Sequence, residues 1–388
     1  MADPIKTGTR PDGSTFFWFR LSAGRNPVTG QRVQVYHSGD REKDVRAEHA
    51  RILSEISQRR YVGRDSNTVS AYLDTWEPAH ARDLEPTTAA KIRHLLRPVR
   101  DRLGDRRMQS LTRADVDQLA DWMLTSGRRR VGKPGTPLSA RTVRDTLAVF
   151  QRACDDAVDE RIIAANPCRR VKRPKQAPAE HELWSDEETA RFELAAAGDR
   201  LAPVVTLQCL GLRPEEACAL RWRRDVNLAG GTLTVRQART LADGQPVEKP
   251  PKTEAGKRTL PLDDALVKAL RTFRAVQAAE RLAAGEAYDA SGDYVCCNEL
   301  GAPYDPAKLR RVWYRLMKQA GVPKITPYTA SRHAAGSYLA RARVSPAVIA
   351  AWLGHADASF TMRTYVHARP EDLAAARDAL AARKSQEG

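Results

Sequence analysis

Apolar residues recur every three to four positions along most of the chain, a spacing that predicts helices as the dominant element. In DREKDVRAEHARILSEISQRR, one face gathers Val45, His49, Ile52 and Ile56. In SARTVRDTLAVFQRACDDAVDER it gathers Val143, Leu147, Phe150, Cys154 and Val158. Period-two alternation is confined to short runs. STFFWFRLS and QRVQVYHS flank the turn-rich AGRNPVTG, and GTLTVRQART, QPVEK and GKRTLPL surround an Asp243-Gly244 turn. The first pair predicts a small sheet near the N-terminus, and the second set a small antiparallel sheet late in the chain.

Punctuation between these segments divides the 388 residues. Residues 1–62 read as a small sheet packed on one helix, too small for an elaborate site and better suited to docking. Residues 66–172 read as a bundle of four helices with short loops. Its signals are Thr68 or Ser70 as a cap, Gly104 as a stop, Thr112 as a cap and Gly127 as a second stop. A basic, proline-containing stretch, 173–184, links this unit to residues 185–388. There Ser185 and Glu188 form a capping box, and Ser345 with Pro346 opens a late helix. The fold class is mostly α and multidomain, with small β-sheets in the first and last parts.

Charge changes the picture. Lys and Arg number 64 and Asp and Glu 48, a net charge of +16. That surplus points to a polyanionic partner, since each neutralised phosphate releases condensed counterions. Arg128, Arg129, Arg130 and Lys133 in a turn, and Arg169, Arg170, Lys172, Arg173 and Lys175 toward the linker, are candidate phosphate contacts. The six cysteines form no CxxC pair and no metal-ligand spacing with histidine, so they read as reduced structural thiols. The start has no apolar signal segment, and no apolar run reaches membrane-spanning length. A cytoplasmic protein, nucleoid-associated when on DNA, is expected.

The chemistry-bearing residues cluster in the last part. GLRPEEACALRW carries Arg213 and Glu216, and PPKTEAGKRTLPL carries Lys252 on the arm of a predicted hairpin turning at Glu254-Ala255-Gly256. TPYTASRHAAGSYLA places Arg332 and His333 in the first turns of a helix, and WLGHADASFTMRTYVHA places Tyr365 ten positions after His355. Alone, Tyr365 is an ordinary half-buried aromatic. In the order Arg, Lys, Arg-His, Leu-Gly-His, Tyr, however, the chain resembles the tyrosine recombinase (phage integrase) family, specifically an actinobacterial-type integrase with an N-terminal arm-binding domain.

The resemblance implies a mixed α/β, mainly α, catalytic domain over 185–388, preceded by a helical SAM-like core-binding domain and an arm-type DNA-binding domain. It implies strand exchange through a 3′-phosphotyrosine formed by Tyr365, with Arg213 and Arg332 gripping the phosphate. Lys252 would be the general acid, ranked ahead of Lys249 and Lys257. His355 would donate to a phosphate oxygen, His333 would do so or orient its neighbours, and Glu216 would orient the site. The family has a histidine three residues before the second arginine; here that position is Thr329, with Tyr328 one further back, and either residue is a candidate for the role.

No cofactor and no metal are expected, because carboxylates grouped to hold two magnesium ions and a Walker-type loop are both missing from the sequence. Expected partners are double-stranded DNA at core and arm attachment sites, further copies in a homotetramer, an excisionase and a host DNA-bending factor. The tail RPEDLAAARDALAARKSQEG, with Leu373, Ala376 and Leu380 on one face, would be a helix packed in cis or exchanged in trans. Competing readings are a type IB topoisomerase-like nicking-closing enzyme and a non-catalytic DNA-binding protein.

Overall fold

A computed structural model describes residues 3–25, 32–58, 61–63, 65–128, 134–175, 183–251 and 253–365. The candidates Arg129, Arg130, Lys133 and Lys252, the side chain of Tyr365, and the tail 366–388 with its predicted helix lie outside the described residues. The chain divides into two compact units, Met1–Pro178 and Ala179–Gly388. No helix among the described residues is long and apolar enough to cross a membrane.

The first unit opens with an antiparallel meander of β1 (Lys6–Thr9), β2 (Thr15–Arg25) and β3 (Arg32–Gly39). Alternation along β2 sends Phe17, Phe19 and Leu21 toward α1 (Glu42–Ser57), where Phe19, Val45 and Ile52 form a small buried core. Trp18 lies against Tyr36 with ring centroids 5.7 Å apart, and the Lys6 ammonium sits 5.3 Å from the Trp18 ring.

A larger core follows among α2 (Val69–Ala81), α3 (Pro86–Leu103), α4 (Arg113–Thr125) and α5 (Ala140–Asp159). Local chemistry sets these helix starts. The Thr68 hydroxyl accepts from the Ala71 N–H, Thr112 and Asp115 form a reciprocal capping box, and Ser139 accepts from the Thr142 N–H. Val143, Leu147, Phe150 and Cys154 are buried on α5 as the periodicity predicts. The Trp76 indole N–H reaches across to Asp156 at 2.6 Å, which satisfies the polar edge of that ring.

The second unit begins with α6 (Asp186–Ala197), capped by Ser185 and Glu188, then α7 (Ala202–Cys209), α8 (Pro214–Ala217) and α9 (Trp222–Asp225). Strand β4 (Val226–Asn227) pairs with β5 (Thr232–Val235), and β6 (Ala238–Ala242) with β7 (Gln245–Lys249). Next come β8 (Arg258–Pro261), α10 (Asp264–Ala284), α11 (Pro306–Ala320), α12 (Ala334–Arg341), α13 (Pro346–Leu353) and α14 (Ala358–Tyr365). The core is built around Trp313, stacked on Phe192 with centroids 4.8 Å apart, together with Leu207, Leu212, Trp222, Leu270 and Phe273.

One expectation is corrected. The late strands do not form a single sheet: β4, β5 and β8 make one, while β6 and β7 stand apart as a hairpin closed by Asp243 and Gly244, both at positive φ. The predicted hairpin turning at Glu254-Ala255-Gly256 is therefore not formed by the strands flanking it, since β7 and β8 do not pair with each other. The physical reason is Pro250-Pro251: neither residue has an N–H to donate, so the β7 ladder ends at Lys249. The hairpin is instead anchored by its side chains. The Glu248 carboxylate accepts from Arg221 and Arg239, each at 2.8 Å, and from the Tyr294 hydroxyl.

Candidate active site

Helix α7 stops at Gly211, whose φ of +103° is strained for any other residue. A Cβ there would come within 2.6 Å of Leu353 Cδ2, so a side chain would force the end of α7 off α13. This close approach brings Arg213, which begins α8, to the C-terminal end of α13.

Helix α13 ends at Gly354 in the left-handed conformation. The last carbonyls of a helix have no intrahelical donor, and here three in succession each accept from a different arginine. Arg258 Nε donates to the Trp352 carbonyl at 2.7 Å, Arg332 Nη2 to that of Leu353, and Arg213 Nη2 to that of Gly354 at 3.3 Å. The negative end of the helix dipole favours this gathering of cations.

Glu216 holds two of the three. Its buried carboxylate accepts from the Arg213 guanidinium at 2.6 Å, the Arg213 backbone N–H at 2.9 Å, and both terminal nitrogens of Arg258 at 2.8 and 3.1 Å. Burial alone would raise its pKa, but the bonds and charges from Arg258 and Arg213 outweigh it, leaving the carboxyl below its ordinary range. Arg332 has no such partner. It comes from a π-helical turn, Thr329–His333, that leads into α12. It is fully buried, donates to the Gly211 carbonyl at 2.7 Å, and has a buried Nε with no partner among the described residues. Burial, with the nearby Arg213 charge, pushes Arg332 down to about 10.

His355 follows Gly354 directly. Its Nδ1 lies 2.7 Å from the hydroxyl of Thr361, a fully buried residue on α14, the helix whose last residue is Tyr365. Burial and the charges of Arg332, Arg213 and Arg258 push His355 down to about 4. Three guanidiniums around one carboxylate thus make a pocket that disfavours any further positive charge and suits an anion.

The order and spacing of these groups agree with what the comparisons find. A sequence model of the phage integrase family matches residues 189–372. A tyrosine recombinase XerC-like protein of Caldanaerobacter subterraneus subsp. tengcongensis is 25% identical over 387 aligned residues, covering 94% of this chain and 96% of its own length. Over 189–372 the chain is thus similar to the phage integrase family. Among solved structures, the Tn1549 transposon integrase in complex with a circular intermediate DNA covers 81% of this chain and 100% of its own, at 20% identity and a TM-score of 0.64. A lambda integrase tetramer bound to a Holliday junction covers 95% and 97%, at 16% identity and a TM-score of 0.55. These two likenesses show that the chain shares the fold of those integrases.

The predicted Arg213, Glu216, Arg332 and His355 converge at the end of α13. Thr329 is buried, with its hydroxyl 2.7 Å from that of Thr326, whereas Tyr328 is exposed and its phenol acts electrostatically on Arg332. His333 is half-buried beside Arg332. In the first unit of the chain, Arg170, Lys172 and Lys175 are exposed, Arg169 pairs with Asp155 at 3.3 Å, and Arg173 donates to the Gln151 side chain at 2.8 Å. Arg128 lies beside the turn, its backbone bridged to Thr136.

Two site residues escaped the sequence reading. Arg258 faces inward on β8 beside Leu260, and a charged residue at an inward strand position is a signal that could have found it. Thr361 offered no signal beyond sitting one helical turn before Tyr365.

Proposed function

We propose that this chain is a site-specific DNA integrase that cleaves and rejoins DNA through a phosphotyrosine, integrating or excising a mobile element. The observation that carries this reading is the convergence of Arg213, Arg332 and His355 at the end of α13, joined through Thr361 to the helix that ends in Tyr365. The related integrases whose structures hold circular intermediate DNA or a Holliday junction support the substrate class. The lambda integrase tetramer on a Holliday junction also supports a tetramer as the working assembly.

In the reaction, the Tyr365 phenol loses its proton to water, a bond forms between its oxygen and phosphorus, and the bond from phosphorus to the 5′-oxygen breaks. A phenol ionises near pH 10 in water, so attack needs cationic surroundings. Arg213 and Arg332 meet the charge that grows on the non-bridging oxygens, and the unpartnered Nε of Arg332 is a donor available for it. His355, neutral at pH 7, donates or accepts without adding charge. Lys252 gives its proton to the departing 5′-oxygen and recovers it when the strand is rejoined. The phosphotyrosine conserves the bond energy, so the strand can be rejoined without ATP. Arg128–Arg130, Lys133 and the exposed basic residues from Arg169 to Lys175 supply backbone contacts to core sites, and residues 1–62 contact arm sites.

A nicked duplex that releases a short strand after cleavage tests the reading. Wild-type protein should accumulate a covalent adduct, and Tyr365→Phe should bind the duplex equally well yet form none. An adduct persisting in that variant would overturn the assignment. The depressed His355 value gives a second test. Single-turnover cleavage should show no inflection near histidine's ordinary pKa of about 6.5. An acid limb centred there, absent from His355→Gln, would show that His355 acts as a cation.

A further inference from the structure

We propose that Arg258 is a positioning residue for phosphate capture, acting through Glu216 and the end of α13 on both Arg213 and Arg332. The inference rests on the reading that those two arginines grip the scissile phosphate. Arg258 has a single buried guanidinium and uses it in three directions. Nε holds the Trp352 carbonyl at 2.7 Å, Nη1 and Nη2 hold both oxygens of Glu216, and Nη1 also reaches the Gly256 carbonyl at 3.2 Å. Glu216 in turn holds Arg213, and the two carbonyls after Trp352 hold Arg332 and Arg213.

Besides Arg213 itself, Arg258 is thus the one group among the described residues bonded both to the carboxylate that orients Arg213 and to the helix end that orients Arg332. Packing enforces the arrangement. A Cβ on Gly354 would sit 2.9 Å from Arg258 Nη1, so the turn after α13 closes directly on this guanidinium. Arg258 itself is buried, and its nitrogens are turned to protein acceptors, so it does not touch substrate. Its planar fork cannot be copied by an ammonium, which directs its donors tetrahedrally from one point. The sequence also ties it to the loop that carries Lys252, six positions earlier.

The test compares two substrates, an ordinary phosphodiester and a methylphosphonate at the same linkage, which lacks the non-bridging negative charge. Each variant is referred to wild type on the same substrate, with duplex affinity and Tm measured in parallel. Arg258→Lys should keep the ion pair and the fold yet slow phosphodiester cleavage by about tenfold or more. On the methylphosphonate the loss should shrink to about threefold or less, because charge stabilisation is no longer demanded. Arg213→Ala serves as the reference and should show the same relief. Equal losses on both substrates for Arg258→Lys, with relief intact for Arg213→Ala, would reduce Arg258 to a fold-stabilising group. Wild-type rates for Arg258→Lys on the phosphodiester would overturn the proposal as well. Absence of relief in Arg213→Ala would instead strike the underlying phosphate-gripping reading.

Discussion

Replacing Arg332 with methionine is expected to slow single-turnover cleavage by about a hundredfold or more while leaving Tm unchanged or slightly raised. The loss follows from removing a preorganised donor to the pentacovalent phosphorus, a change of about 3 kcal/mol or more in transition-state stabilisation. The unchanged stability follows from the environment. Arg332 is fully buried, lacks a carboxylate of its own and is repelled by Arg213, so its folded-state pKa is lowered to about 10. A group whose protonated form is disfavoured by folding costs stability at every pH where it stays charged, including neutrality. Methionine fills a similar volume without that cost, offset in part by the lost bonds to the Gly211 and Leu353 carbonyls. Thermal melts beside cleavage rates check both halves. A variant that melts many degrees lower would show that Arg332 is held for the fold and not for the reaction.

Replacing Glu216 with glutamine should have the opposite profile, a large stability loss. The amide keeps the shape but removes the carboxylate that Arg213 and Arg258 share, leaving a buried guanidinium uncompensated. Breaking a buried pair by removing one partner costs about 3–5 kcal/mol. The sign of the pH effect is fixed by the lowered pKa of Glu216. Its contribution is present above the unfolded carboxylate value of about 4.3 and is lost as pH falls through the lower folded value. Denaturant titrations should therefore show wild type and Glu216→Gln far apart at pH 7 and drawn together in strong acid. A constant gap across that range would mean that shape, not charge, carries the effect.

What the sequence reveals in this chain is what short-range chemistry decides. Thr68, Thr112, Ser185 and Ser345 are all helix caps, as their hydroxyls and the periodic residues after them imply. The inward stripe of α5 was equally readable. The cluster of Arg213, Glu216, Arg332 and His355 could be named from family order, but its mutual support could not. Nothing in WLGH says that the carbonyls of Trp352, Leu353 and Gly354 each serve an arginine from a different segment, because those pairings span up to 141 residues. Strand pairing failed for the same reason. Alternation marks β5, β6, β7 and β8 as strands, yet whether β8 joins β7 or β5 depends on Pro250-Pro251 and on distant packing. The contact between His355 and Thr361 depends on how the turn after Gly354 returns the chain, which six residues of sequence do not specify.

The enclosure of Arg332 has a consequence for selectivity in time. A guanidinium with no solvent-accessible surface cannot be occupied by free nucleotides or inorganic phosphate, whatever their concentration. In the proposed reaction a scissile phosphate would therefore meet Arg332 only after the groups packed over it give way, so access, and not affinity alone, would set when this guanidinium is used.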